Sequence, residues 1–205
     1  MRPIERSEIL PIGDYEAVRP HFRARVVEAK RPRRVALGEH LSALFENRDS
    51  VLLQIQEMLR TERITSEPAI LHEITTYNDL VPGARQLSLT IFVQIPDKAL
   101  RDRLLVELAG LEDTFSVIVN DQRFPLRGPR PDGFVEGRTT AVHYLKADLT
   151  PAAAAAIARG DANAALIVEH PHLRARAELG RATLASLAQD LAEDLAEDLA
   201  EDLAR

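Results

Sequence analysis

The stretch RQLSLTIFVQIP, residues 85–96, is where the chain changes its period. Leu87, Leu89, Ile91, Val93 and Ile95 share one face of an extended segment, and Ser88, Thr90 and Gln94 share the other. That alternation is the mark of a half-buried β-strand. Upstream, the apolar spacing is helical. ENRDSVLLQIQEMLRTERI (46–64) reads as a helix capped by Asn47 or Asp49, with Leu52, Ile55 and Leu59 at the centre of its apolar stripe and Val51 and Met58 flanking it. A second helix starts near Ser66, takes Pro68 in its first turn, buries Ile70, Ile74, Tyr77 and Val81, and stops at Pro82-Gly83. Further upstream, Tyr15, Val18, Phe22 and Val26 form another helical stripe, with Asp14 as cap and Pro20 either kinking the helix or marking its first turn. RVALGEHLSALF (34–45) holds two short apolar runs broken by Gly38, an extended piece or hairpin.

Downstream, strands dominate. TFSVIVNDQRFPL (114–126) reads as a hairpin turning at Asn120-Asp121. TTAVHYLKADL (139–149) and AALIVEHP (164–171) are two further strands, separated by an alanine-rich helix that Thr150 caps and Gly160 ends. RGPRPDGFVEG (127–137) is an exposed loop. The expected fold is therefore α+β, an antiparallel sheet of about four strands packed against N-terminal helices. The domain spans 1–183 and an acidic helical tail spans 184–205.

At 205 residues the chain can bury roughly 70% of its unfolded surface without staples. It has no cysteine, which excludes thiolate metal or cluster ligation, a thiol nucleophile and disulfides. The N-terminus is charged from residue 2, and no run of 18 uncharged apolar residues occurs, so a cytoplasmic, non-membrane protein is expected. The net charge of −6 belongs to the tail: from Leu184 onward there are seven acids and one arginine, leaving 25 acidic and 25 basic residues in 1–183. The tail repeats four residues at a time, so its leucines drift about 40° per repeat around a helix. It reads as a solvated extension, as an acidic docking arm, or as a helix folding back on the basic cluster near Arg31.

Several constellations invite chemistry. Arg48 has a helical angle between those of Ile55 and Leu59. If the helix begins before it, a guanidinium faces the core and needs a carboxylate such as Glu46 or Glu73. If position 48 lies in the first turn, it escapes to solvent. Glu46 and Glu57, with His72 and Glu73, suggest a carboxylate metal site, but eleven residues of helix separate the two glutamates by about 16 Å, too far to share an ion. No metal or cofactor is expected. His170-Pro171-His172 offers two imidazoles without a third ligand. The basic cluster of 19–34 holds only Phe22 as an interleaved aromatic, which makes RNA binding a weak reading.

FENRDSVLLQIQEMLRTERI (45–64), HEITTYNDLVP (72–82), RSEILPIGDYEAVRPHFR (6–23) and HPHLRARAEL (170–179) resemble a bacterial family catalogued as domain of unknown function 3501. The resemblance spans nearly all of 1–183, and the repeat tail departs from it. Genes of that family often lie beside those for a rubrerythrin and for an iron–sulfur oxidoreductase subunit similar to heterodisulfide reductase. The resemblance therefore implies a redox or peroxide-stress setting. The leading expectation is a non-catalytic accessory protein docking on such an iron–sulfur or rubrerythrin-like partner through Glu46, Arg48, Gln56, Glu57, Arg60, Tyr77 and Asn78. The alternatives are a small-ligand binder or enzyme with a polar pocket around Arg48 and Glu57, and an RNA binder using the 19–34 cluster.

Overall fold

The computed structural model describes residues 1–129 and 135–203, with side chains through residue 192. Part of the loop expected over 127–137 therefore lies outside the described residues. Helix α1 (Ile12–Lys30) continues through Pro20, and of its expected stripe only Tyr15 and Val26 are fully buried, Val18 being exposed. Strands β1 (Arg34–Leu37) and β2 (Leu41–Phe45) form the hairpin, turning through Gly38 at φ +74°. Helices α2 (Arg48–Thr61) and α3 (Glu67–Asn78) follow. Asn47 caps α2: its side chain accepts from the Ser50 N–H at 3.0 Å, and the Ser50 hydroxyl accepts from the Asn47 N–H at 2.9 Å.

The rest of the chain runs β3 (Gln86–Val93), α4 (Lys98–Glu107), β4 (Phe115–Val119), β5 (Gln122–Pro125), β6 (Val142–Asp148), α5 (Pro151–Arg159), β7 (Ala164–His170), β8 (Leu173–Glu178) and α6 (Arg181–Leu203). The β4–β5 turn places Asn120 and Asp121 at φ +44° and +66°, the left-handed pair that a two-residue hairpin needs. Thr150 caps α5 and Gly160, at φ +76°, ends it.

The α+β class stands, and the strands divide between two antiparallel sheets of four, ordered β1-β2-β3-β6 and β5-β4-β7-β8. Their edges adjoin, β1 against β8 and β5 against β6. Beyond β5, the backbone of Arg127 exchanges hydrogen bonds with that of Lys146 at 2.8 and 2.6 Å. Helix α4 and strand β8 have no counterpart in the sequence reading. The second sheet explains how a chain with this many apolar alternations buries them.

One core unites the inward faces of both sheets with Leu105 and Leu108 after β3, Ala153, Ala154 and Ile157 of α5, and Leu187 and Leu191 of α6. Leu87, Leu89, Ile91, Val93 and Ile95 are all part of it. The opposite face of β3, expected to be wet, is covered too: Ser88 is 2% and Thr90 4% exposed. A second apolar cluster explains this, since Val51, Ile55 and Leu59 of α2 and Ile70 and Ile74 of α3 pack with Ile4, Ile9, Leu80 and Val81 as a roof over the first sheet.

The division at 183/184 falls inside α6. Leu187 and Leu191 are core residues, each contributing about 1.5–3 kcal/mol by burial. The helix also folds back on the basic cluster, two residues from Arg31. Thr183 donates its hydroxyl to the Pro32 carbonyl at 2.6 Å, and Arg33, 1% exposed, donates to Ser186 at 2.8 Å and to the Asp190 carboxylate at 2.6 Å. Arg33 also donates to the carbonyls of Phe45 and Glu46 at 2.8 and 3.0 Å. The buried guanidinium of this fold is thus Arg33, where the roof joins the sheets.

Candidate functional site

The seven residues singled out in the sequence do not converge. Gln56 brackets the backbone of Leu10, accepting from its N–H at 2.9 Å and donating to its carbonyl at 3.2 Å. Asn78 does the same to Ile4, at 2.8 and 2.9 Å. Glu57 accepts from the Tyr15 hydroxyl at 2.7 Å and takes a two-point contact from Arg19 at 2.7 and 2.9 Å. That contact with Arg19 holds the Glu57 carboxyl down at about 2, while burial and the carboxylate push the Tyr15 phenol up. Arg60 pairs with Glu16 at 2.6 Å. These groups tie the N-terminal segment and α1 to α2 and α3.

Arg48 is the first residue of α2, and its partner is neither Glu46 nor Glu73. It bonds the Glu8 carboxylate and the carbonyls of Arg2 and Pro3, because the N-terminal segment crosses the start of the helix. A cleft of about 450 Å³ opens there between Arg2, Arg33, Arg48, Asp49 and Asp190. Its cations are already matched within the chain, Arg2 by Glu5 and Glu8, which makes it a poor anion receptor. Part of the basic cluster is likewise matched by acids, Arg19 by Glu57, Arg25 by Asp49 and Arg31 by Glu28.

Glu46 and Tyr77 belong to a different place, the space between the first sheet and its roof. Strand pairing puts Leu44, Thr90 and Tyr144 in one row and Ser88 beside Lys146 in the next. Glu46, 8% exposed, lies next to Ser88, whose carbonyl accepts from its N–H at 2.8 Å. The Glu46 carboxylate accepts from the Ser50 hydroxyl and from the Thr90 hydroxyl at 2.6 Å. Among the described residues no cation pairs with it. Two hydroxyls leave acceptor capacity unused on a carboxylate.

Two cavities open along this face. The smaller, about 110 Å³, is lined by Lys30, Arg34, Glu46, Gln54, Thr90 and Phe92; the larger, about 430 Å³, by Tyr77, Asp79, Ser88, Arg127, Gly128 and Lys146. Leu80 and Tyr144 line both, so the two are lobes of one cleft. Burial raises the Tyr144 phenol, with Tyr77 and Glu46 adding to the effect, and keeps it a proton donor. Burial lowers the Lys146 ammonium, against the opposing pull of Asp79 and Asp148. Lys146 donates to the Val81 carbonyl at 3.0 Å. Gly128 allows the wall to close: a Cβ there would sit 1.9 Å from the Tyr144 carbonyl oxygen.

Of the remaining candidates, His170 is a buried staple. It accepts the His172 N–H on Nδ1 at 3.2 Å, so its Nε2–H donates to the Ala109 carbonyl at 3.1 Å. His72 is exposed on α3. Among the described residues no three His, Asp or Glu side chains come together as a metal site. No helix among them is long and apolar enough to cross a membrane.

The sequence model of a family described as "Protein of unknown function (DUF3501)" matches residues 3–191. The chain belongs to this family. A crystal structure described as a novel protein of unknown function from Burkholderia pseudomallei K96243 is similar to this DUF3501 protein at 32% identity and a TM-score of 0.86, covering 93% of this chain and 100% of that one. No curated protein matches. The DUF3501 match ends at residue 191, the last described core leucine of α6, so the anchored turns of that helix belong to the family and the later repeats lie beyond the match.

Proposed function

We propose that this DUF3501 protein is a binding module for a small organic carboxylate, held in the cleft between the first sheet and its roof. The observation that carries the reading is the pair of adjoining cavities sharing Leu80 and Tyr144, with Lys146 and Arg127 on one lobe and Glu46 on the other. A cleft with apolar walls and a few placed polar groups is the usual form of a small-molecule site. Arg127 supplies the positive charge for a carboxylate, Lys146 adds a nitrogen donor, Tyr77, Tyr144 and Ser88 supply hydroxyls, and Leu80, Leu145 and Pro129 take an apolar body. The reading of an accessory protein docking on a redox partner draws on the family resemblance, and Arg48, Gln56, Glu57, Arg60 and Asn78 of its helical front hold the chain's own N-terminal segment and α1.

Thermal unfolding in the presence of benzoate, phenylacetate and pyruvate tests the proposal, with inorganic phosphate as a charge-only control. The carboxylates raise the melting temperature saturably, phosphate does not, and Arg127→Met weakens the effect about ten-fold, the usual share of one charge-assisted contact. If no carboxylate stabilises the wild type, or if Arg127→Met binds as well as wild type, the cleft is not the site.

A further inference from the structure

The chain contains 26 cationic side chains, of which only Lys30, Lys98 and Lys146 are lysines. Wherever a cation pairs with an acid on the surface, this chain overwhelmingly uses arginine, the planar donor suited to carboxylates. Lys98 follows the same use, with its exposed side chain paired to Asp102 at 2.7 Å. The other two lysines line the two lobes of the cleft. Arginine cannot act as a nucleophile at neutral pH, whereas a half-buried primary amine can.

We propose that Lys146 captures a carbonyl group covalently, as an imine, and that the cleft's ligand is a small 2-oxo acid whose carboxylate is held by Arg127. This rests on the cleft being the ligand site. The amine nitrogen attacks the carbonyl carbon and forms the C–N bond while the carbonyl π pair moves to oxygen. Both nitrogen protons pass to that oxygen, which leaves as water as the C=N bond forms, so no oxidant or reductant is needed. The surroundings suit each stage. The bond to the Val81 carbonyl fixes the amine against the wall, and among the described residues no carboxylate forms an ion pair with it. Desolvation favours its neutral form. Tyr144, two residues along the same face of β6 and so about 7 Å away along the strand, is a protonated phenol able to relay one of those protons, giving its own to the departing oxygen and regaining one from the nitrogen. Ser88, opposite Lys146 in register and 2% exposed, lends a hydroxyl to the same lobe.

The test is reductive trapping. The full-length protein is incubated with pyruvate and sodium cyanoborohydride, and adducts are counted by intact mass and located by peptide mapping, which separates them from any at the N-terminal amine. The expected result is one carboxyethyl group at Lys146, formed at least ten-fold faster than at Lys98 and slowed about ten-fold by Arg127→Met. Lys98 is the internal control for an exposed amine, so the comparison needs no variant at Lys146 itself. Labelling of Lys98 as fast as Lys146, or none at Lys146, overturns the inference. If pyruvate still raises the melting temperature without reductant while Lys146 goes unlabelled, imine formation fails and the cleft remains a binding site. If no carboxylate shifts the melting temperature and nothing is trapped, both fail.

Discussion

On the first sheet the middle of the outward face, Leu44, Ser88 and Thr90, lies beneath helices; on the second the outward charged side chains of Arg123, Glu169, Arg176 and Glu178 face water. The second sheet pairs its charge in the open, across strands and along one strand. Arg123 meets Glu169 at 2.6 Å and Arg176 meets Glu178 at 2.6 Å, with more than half of each side chain exposed, while their stems flank Ile118 and Ile167. Beneath the roof, a buried carboxylate is met only by two hydroxyls among the described residues, a lysine leans on a carbonyl, and space is left over. The difference teaches where charge costs free energy. An exposed ion pair is nearly neutral in effect, whereas a polar group under cover must be matched by its neighbours or by something that arrives.

The sharpest way to break the contrast is to remove the acid that matches the buried cation at the join. Asp190→Ala leaves the Arg33 guanidinium buried beside carbonyls and Ser186 and is expected to cost about 3–5 kcal/mol in urea unfolding. Gly128→Ala comes next. The Tyr144 carbonyl oxygen must move away from the new Cβ, at an expected cost of about 3 kcal/mol, and carboxylate binding is lost with the cleft wall.

Glu57→Gln, which loosens α1 from the roof, is expected to cost about 2 kcal/mol at pH 7. Because the folded carboxyl is depressed to about 2 from 4.5, the stability it confers is complete above pH 4.5 and fades as pH falls toward 2; the variant's unfolding curve lacks that acid dependence.

His143 gives a smaller effect nearer neutrality. Its Nε2 lies 3.1 Å from the Thr139 hydroxyl, its Nδ1 is buried with no hydrogen-bond partner among the described residues, and desolvation lowers it from 6.5. The unfolded chain therefore takes up the proton first, so stability is full above pH 6.5 and declines below it. Melting temperatures recorded from pH 7 to pH 5 fall less steeply for His143→Phe than for wild type. At the bottom of the scale, Glu169→Gln on the open face leaves the melting temperature unchanged within error. A large loss there would abolish the contrast between the two faces.

Much of the fold was legible because local patterns and tertiary packing agree. The β3 alternation, the Asn47 cap, the Asn120-Asp121 turn and the Thr150-to-Gly160 helix each carry their own signal. Helix α4 was hidden because its stretch is short and dense in charge, and only Leu105 within it is fully buried. Strand β8 alternates arginine and glutamate with Leu173, Ala175 and Ala177, and alanine is too small to announce a buried face. Arg33 sits among Arg31 and Arg34 with nothing local to mark it, since its carboxylate partner lies 157 residues away. The site was half visible. Glu46 and Tyr77 were named, but their companions Thr90, Tyr144 and Lys146 looked like the wet face of ordinary strands, because a roof contributed by another part of the chain leaves no trace in a strand's own alternation. The scarcity of lysine was the one signal that could have drawn attention to Lys146.

Helix α6 is seated from its front end, by Thr183, Ser186, Leu187, Asp190 and Leu191. Every one of those contacts precedes the bulk of the four-residue repeats, which reach helical residue 203. Whole units could be added to or removed from the repeats downstream of that anchor without disturbing a single one of these contacts, so the interior is insulated from the length of the helix beyond it.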